Sequence, residues 1–400
     1  MAGVGLVILG IRLAKRNVPH IDKDVFFISI MALLVSLSSF STMAYNGTND
    51  GSFLTFFMSE WVWLGGAYCL INWLNVVYGH LSVKLVCQCL IAVCVCQCIL
   101  ALTMDMYSPL KQFVDGFLGG EEAFMGNAGN RMYGIGAALD VAGFRFSACM
   151  VMIAVLSCKC EAKGVQYLYW LAFFVILVIG SMIGRSTIVG ASIAFTYVIF
   201  YTLLHRNALS KSKLLNMWQA IFVIGLLGTM LGIYEYGTNA VLREHFRFGF
   251  EGFFSLVERG YWQTNSTDIM VNNMIVFPET LRTWIIGDGY CANPLDDPYY
   301  IGPLYHGFYM ATDIGYLRFL FYFGVIGLVF LVGFIILVSV SCMKRFPSYK
   351  VLFLLLLIVN LIEWFKVSTD IFLVFAPFLC LSSDEEFGYN ERARCLSVSN

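Results

Sequence analysis

Runs of roughly 20 apolar residues, nearly free of charge, recur along most of this chain, and each is long enough for a helix to cross a bilayer. Lipid offers no partner for backbone N–H and C=O groups. Such runs can therefore fold only as helices that satisfy their own backbone. The expected class is an all-α polytopic integral membrane protein. Composition agrees, with 59% hydrophobic and 13% charged residues, far from an ordinary soluble domain.

Candidate spans cover residues 25–45, 53–78, 81–104, 143–158, 164–183, 187–204, 214–236 and 316–342. Residues 349–381 read as two more, broken at 363–370. Residues 2–13 are apolar but short, and read as the remainder of a span. The total is about 11 transmembrane helices, within a range of about 10–12. Basic residues orient them, because short cytoplasmic loops are enriched in Lys and Arg. Lys15, Arg16 and Lys23 mark one such loop. Lys84, the pair Lys159 and Lys163, the cluster His205, Arg206, Lys211 and Lys213, and the cluster Lys344, Arg345 and Lys350 mark others. They fall at every second connection. The expected organisation is an N-terminal bundle over 1–236 with a small exported loop at 105–142 and a large exported loop at 237–311. C-terminal helices over 312–382 and a cytoplasmic tail at 383–400 follow.

Several function classes drop out. The formal net charge is −1 and no basic face suits a nucleic acid. Of the 13 cysteines, Cys87, Cys89, Cys94, Cys96 and Cys98 crowd one apolar span, where they read as small apolar filler without the His or acidic partners of a metal cluster. The only Cys in the large loop is Cys291, so no disulfide forms within it. The adjacent pair Asp296-Asp297 is a weak cation site, and no metal or cofactor is expected.

The large loop carries its positive charge as Arg243, Arg247, Arg259 and Arg282, with no Lys and eight acidic residues. Exported loops are depleted of positive charge in general. Arg retained there is suited to local anion binding, because its planar fork grips phosphate through paired hydrogen bonds. Residues 241–257 set Arg243, Arg247 and Glu251 at spacing four against Phe246, Phe248, Phe250, Phe253 and Phe254. That pattern predicts one amphipathic helix, either lying in the headgroup layer or packed on the loop itself. Further on, the glycines and prolines of 287–303, with Tyr299, Tyr300 and Tyr305, predict irregular coil.

Charge also sits where it is expensive. Arg185 lies between two apolar segments in Gly184-Arg185-Ser186-Thr187-Ile188-Val189-Gly190. Arg318 lies at the start of a span in Asp313-Ile314-Gly315-Tyr316-Leu317-Arg318. Ionisable groups at such depth face a bundle interior or a wet cavity; snorkelling of Arg185, or pairing of Arg318 with Asp313 or Glu363, are the plainer alternatives. Arg131 and Arg145 flank a glycine-rich stretch where backbone and guanidinium could approach a ligand closely, or which could form a turn capping the bundle.

Three of these features resemble the O-antigen polymerase and ligase superfamily, the Wzy and WaaL type of glycan-assembly enzymes. They are the span ending in Arg185-Ser-Thr-Ile-Val-Gly190, the late loop containing Trp284-Ile-Ile-Gly-Asp-Gly289, and the return into the membrane from Asp313 through Arg318 to Gly327. The resemblance covers residues 131–333. It implies a GT-C-like helical bundle in the bacterial inner membrane, with its active site facing the periplasm. The implied reaction joins polyprenyl-pyrophosphate-linked oligosaccharide repeat units into an O-antigen or capsule type of surface polysaccharide.

Pyrophosphate is a good leaving group, so fixed guanidinium groups in a partly dry cavity could stabilise the developing charge without a metal. Transfer would be an inverting displacement. Arg185 and Arg318 are the expected pyrophosphate contacts, with His306 or Asp313 assisting the acceptor hydroxyl. Arg131, Arg282, Arg145, Arg259 and Tyr316 complete the expected substrate-binding set. Expected partners are the lipid-linked donor and acceptor, the bilayer and a chain-length regulator. Alternatives are an O-antigen ligase-type glycan transferase, or a lipid-linked oligosaccharide transporter or flippase.

Overall fold

In a computed structural model the described residues are 1–15, 23–117, 131–135, 139–205, 211–298, 300–305 and 307–382. The expected tail at 383–400 lies outside them. The helices are α1 (Ala2–Ala14), α2 (Lys23–Asn46), α3 (Phe56–Tyr78), α4 (Val83–Met106) and α5 (Ser108–Phe117). Next come α6 (Leu139–Lys159), α7 (Lys163–Ile183), α8 (Thr187–Leu204), α9 (Lys211–Thr238), α10 (Ala240–Gly249) and α11 (Glu251–Arg259). The series ends with α12 (Asn265–Ile269), α13 (Leu281–Ile285), α14 (Gly315–Arg345), α15 (Lys350–Glu363) and α16 (Phe372–Cys380).

Seven helices among the described residues are long and apolar enough to cross a membrane: α2, α4, α6, α7, α8, α14 and the Leu214–Thr238 part of α9. The chain is an all-α polytopic membrane protein. Helix α3 has the length, but Glu60, Asn72 and Asn75 dilute its apolar character. The expected break near 363–370 is present between α15 and α16, which are 14 and 9 residues long. Its backbone is satisfied locally: Ile371 N–H donates to Asn360 Oδ1 at 3.1 Å, and Trp364 Nε1–H to the Thr369 carbonyl at 2.6 Å.

The described residues fall into two compact units, Met1–Val86 with Asn265–Asn400, and Cys87–Thr264. In the first, α2 packs on α14, and α3 on α1 and α16. Helix α14 is not continuous. Phe323 (φ −130°, ψ 19°) and Gly324 (φ 64°, ψ −168°) break it, which frees carbonyls that lipid could not satisfy. The 287–289 turn closes this gap. Asp288 N–H donates to the Phe321 carbonyl at 2.6 Å and Gly289 N–H to that of Tyr322 at 3.0 Å. A buried polar stripe on α2 completes the junction. Thr42 Oγ1–H reaches the Ile286 carbonyl at 2.8 Å, Asn46 Nδ2–H that of Gly287 at 3.1 Å, and Ser39 Oγ lies 2.7 Å from Tyr322 Oη.

In the second unit α6 is the central helix, nearly all of it buried, with α7 and α8 against it and α9 against α7. Small residues bring α6 and α8 into backbone contact: a Cβ on Gly190 would lie 2.2 Å from Ser147 Cα. The segment expected as one helix over 241–257 is two, α10 and α11, broken at Phe250. Gly249 ends α10 against the backbone of Ser181 and Met182, at 3.1–3.2 Å from its Cβ position. The chain must turn there before continuing.

Candidate functional site

The turn carrying Arg185 joins α7 to α8 and is clamped onto α6. Ser147 Oγ–H donates to the Ser186 carbonyl at 2.8 Å, Gly190 N–H donates to Ser147 Oγ at 3.1 Å, and Thr187 Oγ1–H caps the Gly184 carbonyl at 2.8 Å. The Thr187 hydroxyl, the Ser186 hydroxyl donating to the Asp140 carbonyl at 3.3 Å, and the close approach of Gly190 to Ser147 account for the Ser, Thr and Gly of the motif. They hold one cation, whose side chain is only 17% exposed, at a fixed place.

Around it the second unit gathers an unusual arrangement. The Arg185 guanidinium stands 4.3 Å from the centroid of the Phe248 ring, and that of Arg131 stands 4.8 Å from the same ring. Glu251, at the start of α11, forms an ion pair with Arg185. Burial pushes the Arg185 pKa down, Glu251 opposes that, and the nearby charge of Arg131 pushes it down further. Two cations that repel one another stand over one aromatic ring. An anion bridging them would relieve the repulsion and accept charge-assisted hydrogen bonds from both forks.

The expected single polar stripe on 241–257 is divided by the Phe250 break. Arg243 turns back to cap α9, donating from Nε to the Tyr236 carbonyl at 2.9 Å and from Nη2 to the Gly237 carbonyl at 3.1 Å. Arg247 binds Glu258 through one nitrogen at 2.7 and 2.9 Å. Only Glu251 reaches Arg185. The aromatic face of the same two helices, with Phe246, Phe250, Phe253 and Phe254, lines an apolar cavity of about 520 Å³ together with Phe174 on α7 and Tyr236 on α9.

Asp105, at the end of α4, accepts from His245 on α10 at 3.1 Å. The His245 side chain is only 6% exposed, and its Nδ1 is buried without a hydrogen-bond partner among the described residues. An unsatisfied buried polar atom costs about 1–3 kcal/mol, so it needs a reason. Asp105 also lines a cavity of about 10 Å³ with Lys111, Arg131 and Tyr133. Neither His245 nor Asp105 stands out in the sequence. They are 140 residues apart, and each lies in an unremarkable context.

The first unit holds the other expected residues. Arg318 lies 3.5 Å from the Phe308 ring centroid and 3.6 Å from Asp313 Oδ1. It also donates to Cys291, to the carbonyl at 3.4 Å and to Sγ at 3.2 Å. Burial pushes the Cys291 thiol pKa up, and the Arg318 charge opposes this. Arg282 is mostly exposed and pairs loosely with Asp288 at 3.4 Å. Tyr316 donates to the Leu361 carbonyl at 2.8 Å and packs on Trp364 and Phe365, tying α14 to α15. Arg145 is half-buried in the second turn of α6, and Arg259 is exposed, 2.6 Å from Gln263. His306 lies outside the described residues. The fold thus joins Arg131 with Arg185 in one unit and Arg318 with Asp313 in the other.

Among the described residues no group of three His, Cys, Asp or Glu side chains converges as a metal site. No disulfide joins the described cysteines. Helices of this length and apolarity define a multi-pass membrane protein. Comparison with protein-family models, with curated proteins and with solved structures finds no match that would carry the identification further.

Proposed function

We propose that this protein is a glycosyltransferase that polymerises polyprenyl-pyrophosphate-linked oligosaccharide repeat units into a surface polysaccharide. The reading places about 11 spans in a GT-C-like bundle in the bacterial inner membrane, with the site on the periplasmic face. The observation that carries it is the convergence of Arg131 and Arg185 on Phe248, with Glu251 as counter-ion. A pyrophosphate bridging the two guanidinium groups has its leaving-group charge stabilised by donors already in position. The aromatic cavity on α7, α9, α10 and α11 suits the first isoprene units of the carrier, because it is apolar and built on the two helices that present Phe248 and Glu251.

In this scheme the bond between the anomeric carbon and the pyrophosphate oxygen breaks, its electron pair stays on pyrophosphate, and an acceptor sugar hydroxyl attacks from the opposite face. Arg318 with Asp313, and His306, are further candidates for binding the glycan, and a chain-length regulator is the expected protein partner.

The test is the glycan made by cells whose Arg185 is changed to Ala. Single repeat units on the lipid acceptor, with long chains lost, are the expected result. Long chains retained on the polyprenyl carrier would indicate a ligase, and repeat units trapped on the cytoplasmic face a flippase. Unchanged glycan at normal protein level would remove Arg185 from the site.

A further inference from the structure

The paired guanidinium groups deal with the leaving group and do not themselves accept a proton from the incoming hydroxyl. The same unit contains a group suited to that task. A carboxylate only accepts hydrogen bonds, so the contact between Asp105 Oδ2 and His245 Nε2 assigns the ring proton to Nε2. In the neutral ring Nδ1 then carries the lone pair, and it is this atom that is buried with no partner among the described residues. A structural histidine normally satisfies both ring nitrogens. Here one is oriented by a carboxylate and the other is left open, the division of roles found where an imidazole takes a proton.

Position supports the assignment. His245 lies on the buried face of α10 with Leu242 and Gly249. Phe248, which carries both guanidinium groups, follows three residues later, about one helical turn away. One member of each pair, Asp105 and Arg131, also lines the same small cavity, together with Lys111 and Tyr133. Tyr133 in turn donates to Asp115 at 2.8 Å, which ties this loop in place. Helix α10 is bounded by its Asn239 cap and by the break at Phe250, and a shift of this short body as a donor seats on Phe248 is what the assignment requires to uncover Nδ1.

We infer that His245 is the general base for the acceptor hydroxyl and that Asp105 is its positioning residue. The inference rests on the reading of Arg131 and Arg185 as the pyrophosphate site. Nδ1 takes the hydroxyl proton as the sugar oxygen forms its bond to the anomeric carbon. The bond to pyrophosphate breaks with its electron pair, and the imidazolium afterwards returns its proton to water.

The experiment uses the full chain in nanodiscs, with turnover on lipid-linked repeat units and binding of inorganic pyrophosphate measured side by side. His245→Gln should lower kcat by roughly 10²–10⁴-fold and leave pyrophosphate binding intact. Imidazole should restore turnover to His245→Gly. Asp105→Asn should lower kcat without raising KM for the acceptor. If His245→Gln turns over normally while Arg185→Ala is inactive, the base assignment is overturned and the cation-pair reading survives. If His245→Gln loses pyrophosphate binding together with turnover, and imidazole restores neither to His245→Gly, the residue is structural and the assignment is likewise overturned. If His245→Gly does not fold, Asp105→Asn decides: normal kcat overturns the inference, and reduced kcat at unchanged KM supports it. Pyrophosphate binding that survives in both Arg131→Ala and Arg185→Ala would instead overturn the underlying site.

Discussion

Replacing Gly324 with Ala tests how the first unit is held together. Gly324 sits at φ 64° and ψ −168°, a region of backbone space that is essentially reserved for glycine. The added Cβ would stand 2.2 Å from the Ile285 carbonyl oxygen and 2.3 Å from its carbon. These are backbone atoms and cannot swing aside. Dihedral strain contributes about 1–3 kcal/mol and forced overpacking a similar amount, giving about 2–6 kcal/mol together. Straightening α14 offers no escape, because the Phe321 and Tyr322 carbonyls would leave the donors supplied by Asp288 and Gly289. At about 2 °C per kcal/mol the melting temperature should fall by about 4–12 °C. Thermal unfolding in detergent, followed by size-exclusion chromatography, measures this. Gly66→Ala on α3 is the control, since nothing lies within 4 Å of its Cβ position. If the two variants melt together, the account of α14 as a broken helix sealed by the 287–289 turn is wrong.

Two other perturbations follow from the same geometry. Gly287 has φ +84° and a Cβ position 2.4 Å from the Tyr322 carbonyl oxygen, so Gly287→Ala should also destabilise. Because both glycines face one junction, Gly287→Ala and Gly324→Ala combined should cost less than their sum by about 0.5–3 kcal/mol, and strict additivity in unfolding would show that the two contacts are independent. Glu251→Gln removes the carboxylate that competes for Arg185, and should tighten pyrophosphate binding measured by calorimetry. Weaker binding would mean that Glu251 positions the guanidinium more than it neutralises it.

The span pattern was legible because length and apolarity are local properties that lipid reads directly. The gap between α15 and α16 was equally visible, since Glu363, Lys366 and Asp370 interrupt an apolar run. Other features were not. The pattern over 241–257 reads as one helix, and nothing local marks Phe250. The break there accompanies the seating of Gly249 on the backbone of Ser181 and Met182, a contact with a helix far earlier in the sequence. The Gly287-Asp288-Gly289 stretch reads as irregular coil, and its two positive-φ glycines fit that reading. Its role in satisfying α14 depends on a partner more than 30 residues on.

From sequence alone came the class of the molecule, its apolar helices and the unusual placement of Arg131, Arg185 and Arg318. A charge at a span boundary is costly enough to be noticed without knowing its surroundings. Which charges stand together was decided by tertiary structure. Arg131, Arg185, Phe248 and Glu251 come from separate elements, as do Asp105 and His245, and no periodicity links them. Their proximity results from α10 and α11 packing against the ends of other helices. Arg318 shows the intermediate case, since Asp313 five residues earlier was an evident partner but the Phe308 and Cys291 contacts were not. Local patterning sets which segments leave water, whereas long-range packing sets which polar groups must then satisfy one another.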